Sequence, residues 1–213
     1  MLPKIEKKKF DDAISRINKD RDASFEVQSL ASQMFLETAR IKVSPVVDYF
    51  RDYLCGWDPA LSSEKVIIYC KHQSMFGGLS DLFDSLAIDF IGISGQTPTS
   101  ERTRLIQRFL QDPLCGVALL TIGSCATGIN LCPVSRMIFT ELCWSPSDLS
   151  QCEARISRIG GASHLDYTYL VCDGTLDEQV FRKLEHKTSV TNDIVDAGKD
   201  YGDFRFAKRQ RLT

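Results

Sequence analysis

"KVIIYCK", residues 65–71, is a short, β-branched and almost wholly apolar run. Four later stretches share its character: "IDFIGI" (88–93), "GVALLTI" (116–122), "RMIFTEL" (136–142) and "DYTYLV" (166–171). A strand facing water on one side alternates apolar and polar residues, and these runs do not. Strands apolar on both sides belong to a parallel sheet covered on both faces. Between several of them lie stretches of helical spacing, about 74–87, 98–111 and 146–159, and another follows at about 175–196. Alternating strand and helix predicts an α/β layered domain.

Upstream of residue 61 no β-like run appears. "SFEVQSLASQMFLETARIKVSPVVDYFRDYLCG" (24–56) carries apolar residues at helical spacing, with a break expected at Ser44-Pro45 and a stop at Gly56. The organisation expected is an N-terminal helical segment over 1–60, the α/β domain over 61–197 and a tail over 198–213. That tail ends in "RFAKRQRLT", which is basic and reads as frayed.

Composition sets bounds. The 213 residues are 43% apolar and 25% charged, which is ordinary for a soluble globular chain with a core of normal size. The formal net charge is −2, so any nucleic-acid surface has to be local. The eight cysteines form no C-x-x-C pair and no Cys/His cluster of zinc spacing, so no metal ligand set is expected. They read as small buried hydrophobes in a reducing, intracellular compartment. "MLPKIEKKKF" has no apolar signal-peptide core, and no run reaches the length of a membrane span.

Two segments carry candidate chemistry. In "WSPSDLSQCEARISRIGG" (144–161), Ser145 is the expected N-cap, Pro146 the first helical residue, and Asp148 the capping-box acid. Gly160 and Gly161 supply the stop. Leu149, Cys152, Ile156 and Ile159 form an apolar stripe. Gln151, Arg155 and Arg158 form a second stripe beside it. Two guanidiniums on one helix face beside a turn suit a phosphate group, although a solvated face would also place them there. In "LLTIGSCATGINL" (119–131), an apolar strand runs into Gly123, Ser124, Thr127, Gly128 and Asn130. Glycines there let backbone amides approach a ligand at the carboxyl edge of the sheet. A plain strand-to-helix turn reads equally well.

In this order, the segments resemble the motifs of the C-terminal RecA-like lobe of superfamily-two helicases, in the Swi/Snf family of DNA translocases. "KVIIYCKHQSM" resembles motif IV, and "ISGQTPTSER" is similar to I-D-G-x-x-x-x-x-E-R. "LLTIGSCATGINL" resembles motif V, and "QCEARISRIGG" resembles the motif VI pattern Q-A-E-D-R-A-H-R-I-G-Q. "TELCWSP" and "FLETARIKVSPVVDYFRDYL" bring the likeness nearest to the HepA-related annealing helicases. It covers roughly residues 34 to 190.

The resemblance implies a RecA-like parallel sheet with helices on both faces. It implies that Arg155 and Arg158 reach the phosphates of ATP held with magnesium by an N-terminal lobe, supported by Gln151, with Gly128 and Asn130 lining the cleft. It implies that His72, Gly95 and Thr97 face the DNA backbone. Thr97-Pro98 also reads as an N-cap followed by proline, whose amides could hold a phosphate. A role in rewinding or remodelling duplex or forked DNA, and a nuclear location, follow from the same likeness.

Four positions depart from the family pattern: Ser94 for the Asp of I-D-G, Ala154 for the Asp before Arg155, Ser157 for the His, and Gly161 for the final Gln. They leave open a second reading, a catalytically degenerate DNA- or protein-docking scaffold of the same fold. No G-x-x-x-x-G-K-[ST] loop and no D-E-x-H-type motif occur in the 213 residues. The chain is therefore expected to be half of a DNA-dependent ATPase and inactive alone. A third reading, an unrelated nucleotide- or methyl-donor-dependent transferase, needs a G-x-G-x-x-G turn after the first strand. Gly77 and Gly78 fall instead within the following helix.

Overall fold

The computed structural model describes residues 25–57, 64–127, 130–143, 146–156, 165–172, 175–178, 180–182 and 209–212. Helix α1 spans Phe25–Tyr53 and α2 Gln73–Ser85, with strand β1, Val66–Cys70, between them. Then come β2 (Phe90–Ile93), α3 (Thr99–Gln111), β3 (Val117–Thr121) and a 3₁₀ turn over Ile122–Thr127. Strand β4 (Arg136–Phe139), α4 (Pro146–Glu153), β5 (Asp166–Cys172) and β6 (Arg209–Leu212) complete the order.

The strands form one sheet in the order β2-β3-β1-β4-β5-β6, with every pairing parallel. This is the RecA-like α/β fold the sequence predicts. Each of the apolar runs became a strand because both of its faces are covered. Val66, Ile68 and Cys70 of β1 turn towards one cluster, with Val46, Phe50 and Leu54 of α1 and Leu79 and Phe83 of α2. Ile67 and Tyr69 turn the other way, with Phe109 of α3 and Leu149 and Cys152 of α4. Burying side chains of this size contributes about 1.5–3 kcal/mol each, so one register is strongly preferred. Tyr69, Phe139 and Tyr169 lie side by side on β1, β4 and β5, and their rings stack at 5.3 and 4.9 Å between centroids.

Two expectations are corrected. Helix α1 does not break at Ser44-Pro45 but runs through it. Proline in a helix interior costs about 3 kcal/mol. Burial of Val46, Phe50 and Leu54, just beyond the proline, outweighs that cost. Lys42 pins the same stretch: fully buried, its Nζ lies 2.5 Å from Asp177 Oδ2 and 2.5 Å from the Leu170 carbonyl oxygen. The expected stop at Gly56 holds, with φ +71 supplied by glycine. The second correction concerns the tail. Residues 209–212, read as part of a frayed basic end, pair with β5 from Tyr169↔Arg209 to Cys172↔Leu212. An open strand edge binds main chain whatever the side chains are, so charge alone was a poor guide there.

Gly77 and Gly78 lie within α2. A Cβ on Gly78 would stand 2.9 Å from Val43 Cγ1, so this glycine admits the close approach of α1 and α2. The transferase reading has no phosphate turn here. Of the described cysteines, Cys70, Cys115, Cys143, Cys152 and Cys172 are buried, Cys132 is half-buried and Cys55 exposed. Among the described residues no helix is long and apolar enough to cross a membrane. The final helical stretch is seen at 176–178 and 180–182, and its expected continuation to 196 lies outside the described residues.

Candidate nucleotide and DNA edge of the sheet

His72, Gly95, Thr97 and Asn130 follow the carboxyl ends of parallel strands, where open α/β sheets bind ligands, and Gln151 and Arg155 come from α4 and the turn after it. After β1 the chain turns at Lys71 and His72. Glu141, which follows β4, reaches across to that turn. Its Oε2 accepts the backbone N–H of Lys71 at 2.7 Å and of His72 at 2.9 Å, and its Oε1 lies 2.6 Å from His72 Nδ1. Burial opposes ionisation of Glu141. The His72 ring and the two backbone amides outweigh it and hold the carboxyl below its ordinary value. Lys71 is exposed, with its Nζ 4.7 Å from the centre of the Phe35 ring on α1.

After β2 comes a compact turn. Ser94 N–H donates to Thr97 Oγ1 at 3.0 Å, Gln96 N–H to Ser94 Oγ at 3.2 Å, and Thr97 N–H to Ser94 O at 3.2 Å. Arg102 closes it from α3, donating to Thr97 O at 2.8 Å and Ser94 O at 3.1 Å. The N-cap reading of Thr97 is therefore corrected. Helix α3 begins at Thr99 after Pro98, the Thr97 amide donates inside the turn, and its hydroxyl oxygen accepts there while keeping its own O–H to donate. Gly95 is exposed, with open space where a Cβ would stand. Ser94 performs locally the hydrogen bond that an Asp in its place would make, so this departure leaves the turn intact.

The loop after β3 and the end of α4 meet. Ser124 is buried and donates to Thr121 O at 2.6 Å. Asn130 is exposed, and its Oδ1 accepts the Cys132 N–H at 3.3 Å. Leu131 N–H donates to Arg155 O at 3.2 Å, and the Cys132 thiol to Ile156 O at 3.2 Å. The motif V and motif VI segments are thus tied through main chain, which brings Asn130 and Arg155 together. Gln151 is exposed and Arg155 half-buried. Gly128, Ser145, Arg158, Gly160 and Gly161 lie outside the described residues.

The helix expected to run from 146 to 159 is also corrected. Regular helix ends at Glu153. Arg155 N–H bonds Cys152 O at 3.0 Å and Ile156 N–H bonds Glu153 O at 3.2 Å, so the chain tightens into i→i−3 turns at the arginine. With the Arg155 and Ile156 carbonyls taken by Leu131 and Cys132, a straight helical stripe through Gln151 and Arg155 is not kept. Ala154, where the family pattern has an Asp, is exposed in this turn.

Glu153 sits on the apolar side of α4, one turn after Leu149, and is buried. The Tyr169 hydroxyl donates to its Oε1. Burial pushes the Glu153 carboxyl up, and the single tyrosine bond only partly offsets it. Burial, and then the neighbouring Glu153, push the Tyr169 phenol up. Sequence reasoning missed Glu141, Glu153, Arg102 and Lys42. For Glu153 a signal existed: a charged residue in step with Leu149, Cys152 and Ile156. For Glu141 it was an acid closing an apolar strand.

The donors at the α4 edge, a guanidinium with carboxamides nearby, fit a phosphate group. Among the described residues no cluster of three His, Cys, Asp or Glu side chains could hold a metal ion.

The model of the helicase conserved C-terminal domain matches residues 47–160, more than half of the chain. Mouse DNA annealing helicase and endonuclease ZRANB3 is 32% identical over 174 residues, 82% of this chain and 16% of that protein. The Drosophila melanogaster SWI/SNF-related matrix-associated actin-dependent regulator of chromatin subfamily A-like protein 1 is 29% identical over 167 residues, 78% of this chain and 21% of that protein. The chain thus spans about a fifth or less of the length of these relatives. The crystal structure of the C-terminal part of the Fun30 ATPase domain superposes with a TM-score of 0.58 at 23% identity, over 64% of this chain and 44% of that one, and supports the fold. The chain belongs to the family of helicase conserved C-terminal domains, with SWI/SNF-related and annealing-helicase relatives.

Proposed function

We propose that the chain is the second lobe of an ATP-dependent DNA translocase or annealing helicase. It supplies Arg155 and Arg158 to the phosphates of an ATP–magnesium complex held by an N-terminal RecA-like lobe. Gln151, Gly128 and Asn130 line its side of the cleft, and His72, Gly95 and Thr97 meet the phosphate backbone of duplex or forked DNA. The observation that carries this reading is the main-chain tie between the loop after β3 and the turn that presents Arg155. A guanidinium fixed by its own backbone meets a developing phosphoryl charge with little reorganisation. In this reading magnesium comes with the ATP and is held mainly by the other lobe. The lobe grips backbone phosphates without reading bases, and the natural setting is the nucleus.

The test is the DNA-stimulated ATPase activity of the intact gene product beside Arg155→Ala and Arg158→Ala. Turnover by the wild type, with losses on the order of 10³-fold in either variant, is expected. The 213-residue chain alone is expected to be silent, and robust turnover by it would overturn the two-lobe assignment. A second reading, a non-hydrolysing docking scaffold, draws on Ala154, which brings no carboxylate to the turn holding Arg155. A silent wild-type protein that still binds DNA would favour it.

A further inference from the structure

Glu141 is a buried acid between two segments of the sheet edge, and neither its burial nor its partners are explained by packing. Its side chain is 5% exposed, and its two oxygens meet three N–H groups, all from Lys71 and His72. A carboxylate accepts only, so the nitrogen facing it, Nδ1, is the one that carries a proton. The ring is 22% exposed, and Nε2 meets no hydrogen-bond partner among the described residues.

We propose that Glu141 is the positioning residue for DNA-backbone binding at this edge. It clamps the Lys71–His72 turn and engages Nδ1, so that the ring offers Nε2 to a phosphate oxygen. This rests on the DNA-binding reading above. With Nδ1 protonated, Nε2 donates only when the ring is an imidazolium. The phosphate contact therefore requires a proton, and a cation held between carboxylate and phosphate makes charge-assisted bonds on both sides.

Glu141, from the end of β4, is held below the ordinary carboxylate range. Burial pushes up the Cys70 thiol of β1, and pushes up to about 11 the Cys143 thiol, which feels Lys71 and Asp148 of α4. Lys71 rests over Phe35 of α1. Between pH 6 and 8 an imidazole is the side chain that changes charge.

The experiment measures duplex-DNA affinity of the intact gene product at pH 6 and pH 8 and across salt. The variants are His72→Ala, Glu141→Gln and the double variant. Glutamine keeps an oxygen for the two backbone amides but turns its NH₂ towards Nδ1, so the neutral ring carries its proton on Nε2 and still donates to a phosphate, without the charge and without the need for a second proton. Wild-type affinity is expected to fall about fivefold or more from pH 6 to pH 8. His72→Ala loses about five- to tenfold at pH 6 and lowers the salt slope by about one, and Glu141→Gln loses a smaller part because a neutral Nε2–H remains. The double variant is no weaker than His72→Ala, because both changes act on the same contact. Glu141→Gln flattens the pH dependence, which a purely structural role would leave in place.

His72→Asn guards against misfolding. It keeps a donor for Glu141 without a second ring nitrogen, so it is expected to melt like the wild type and bind like His72→Ala. Losses that add in the double variant, or a Glu141→Gln profile that still falls with pH, overturn this proposal while the DNA-binding reading stands. A wild-type protein that binds no duplex DNA overturns both.

Discussion

Two buried glutamates are pushed in opposite directions from the ordinary carboxylate value. Glu141 accepts from two backbone amides and a histidine ring and is held below its ordinary value. Glu153 accepts from the Tyr169 hydroxyl and is pushed up. Burial opposes the charge at both sites. The number and kind of donors decide which effect wins. Glu141 is an ionised clamp between two loops. Glu153 is an acid tolerated in the core because a tyrosine meets it, and it ties α4 to β5 just before the chain tightens towards Arg155.

Removing the clamp has the larger effect. Glu141→Ala leaves the amides of Lys71 and His72 without their acceptor at a partly buried turn, and is expected to cost about 3 kcal/mol in urea unfolding at pH 7. A loss under about 1 kcal/mol would mean that water replaces the carboxylate freely, and the contrast with Glu153 would collapse. Tyr169→Phe is milder, because it removes only a hydroxyl and keeps the ring between Phe139 and Phe181. It leaves the Glu153 carboxyl short of its donor, at about 1–2 kcal/mol. It should raise the Glu153 pKa further, which sharpens the comparison. A Glu153 titration unmoved by this change would show that the tyrosine bond does not support the charge.

The strands and the helices between them were legible because core burial writes itself into local patterns. A strand covered on both faces needs apolar residues on both sides, and Val66–Cys70 of β1 and Val117–Leu120 of β3 have them. What stayed hidden was set by residues far apart in the chain. Lys42 bonds the Leu170 carbonyl, 128 positions away, and His72 finds Glu141 69 positions away. Neither pair has a local signature. At Pro45 a sound local rule lost to packing, since α1 is held on both sides of the proline. At β6 main-chain pairing gave order to a segment whose side chains suggested none. The site was half legible. The motif spacing indicated Arg155, Asn130 and His72, but the contacts that hold these segments in place run through backbone carbonyls and two acids, Glu141 and Glu153, that lie inside the quoted patterns without a role read for them.

The smallest effect tests the sign of the comparison most directly. For Glu153, whose folded value is raised above the ordinary 4.5, the stabilising contribution is present below that value and is lost as pH rises through the folded one. Glu153→Gln carries no charge to desolvate and still accepts from Tyr169. Its stability relative to wild type should therefore climb with pH, from no gain near pH 4 towards about 1 kcal/mol at pH 8. Any fixed cost of the added NH₂ shifts that line without tilting it. For Glu141, whose folded value is lowered from 4.5, the contribution is present above 4.5 and fades as pH falls through the folded value. Glu141→Gln should accordingly lose most at neutral pH and approach wild type in acid. Urea midpoints relative to wild type would then slope above pH 4.5 for Glu153→Gln and below pH 4.5 for Glu141→Gln, with opposite signs. Parallel slopes would mean that one donor stabilises a buried carboxylate as well as three, and the distinction between a clamp and a tolerated acid would fall.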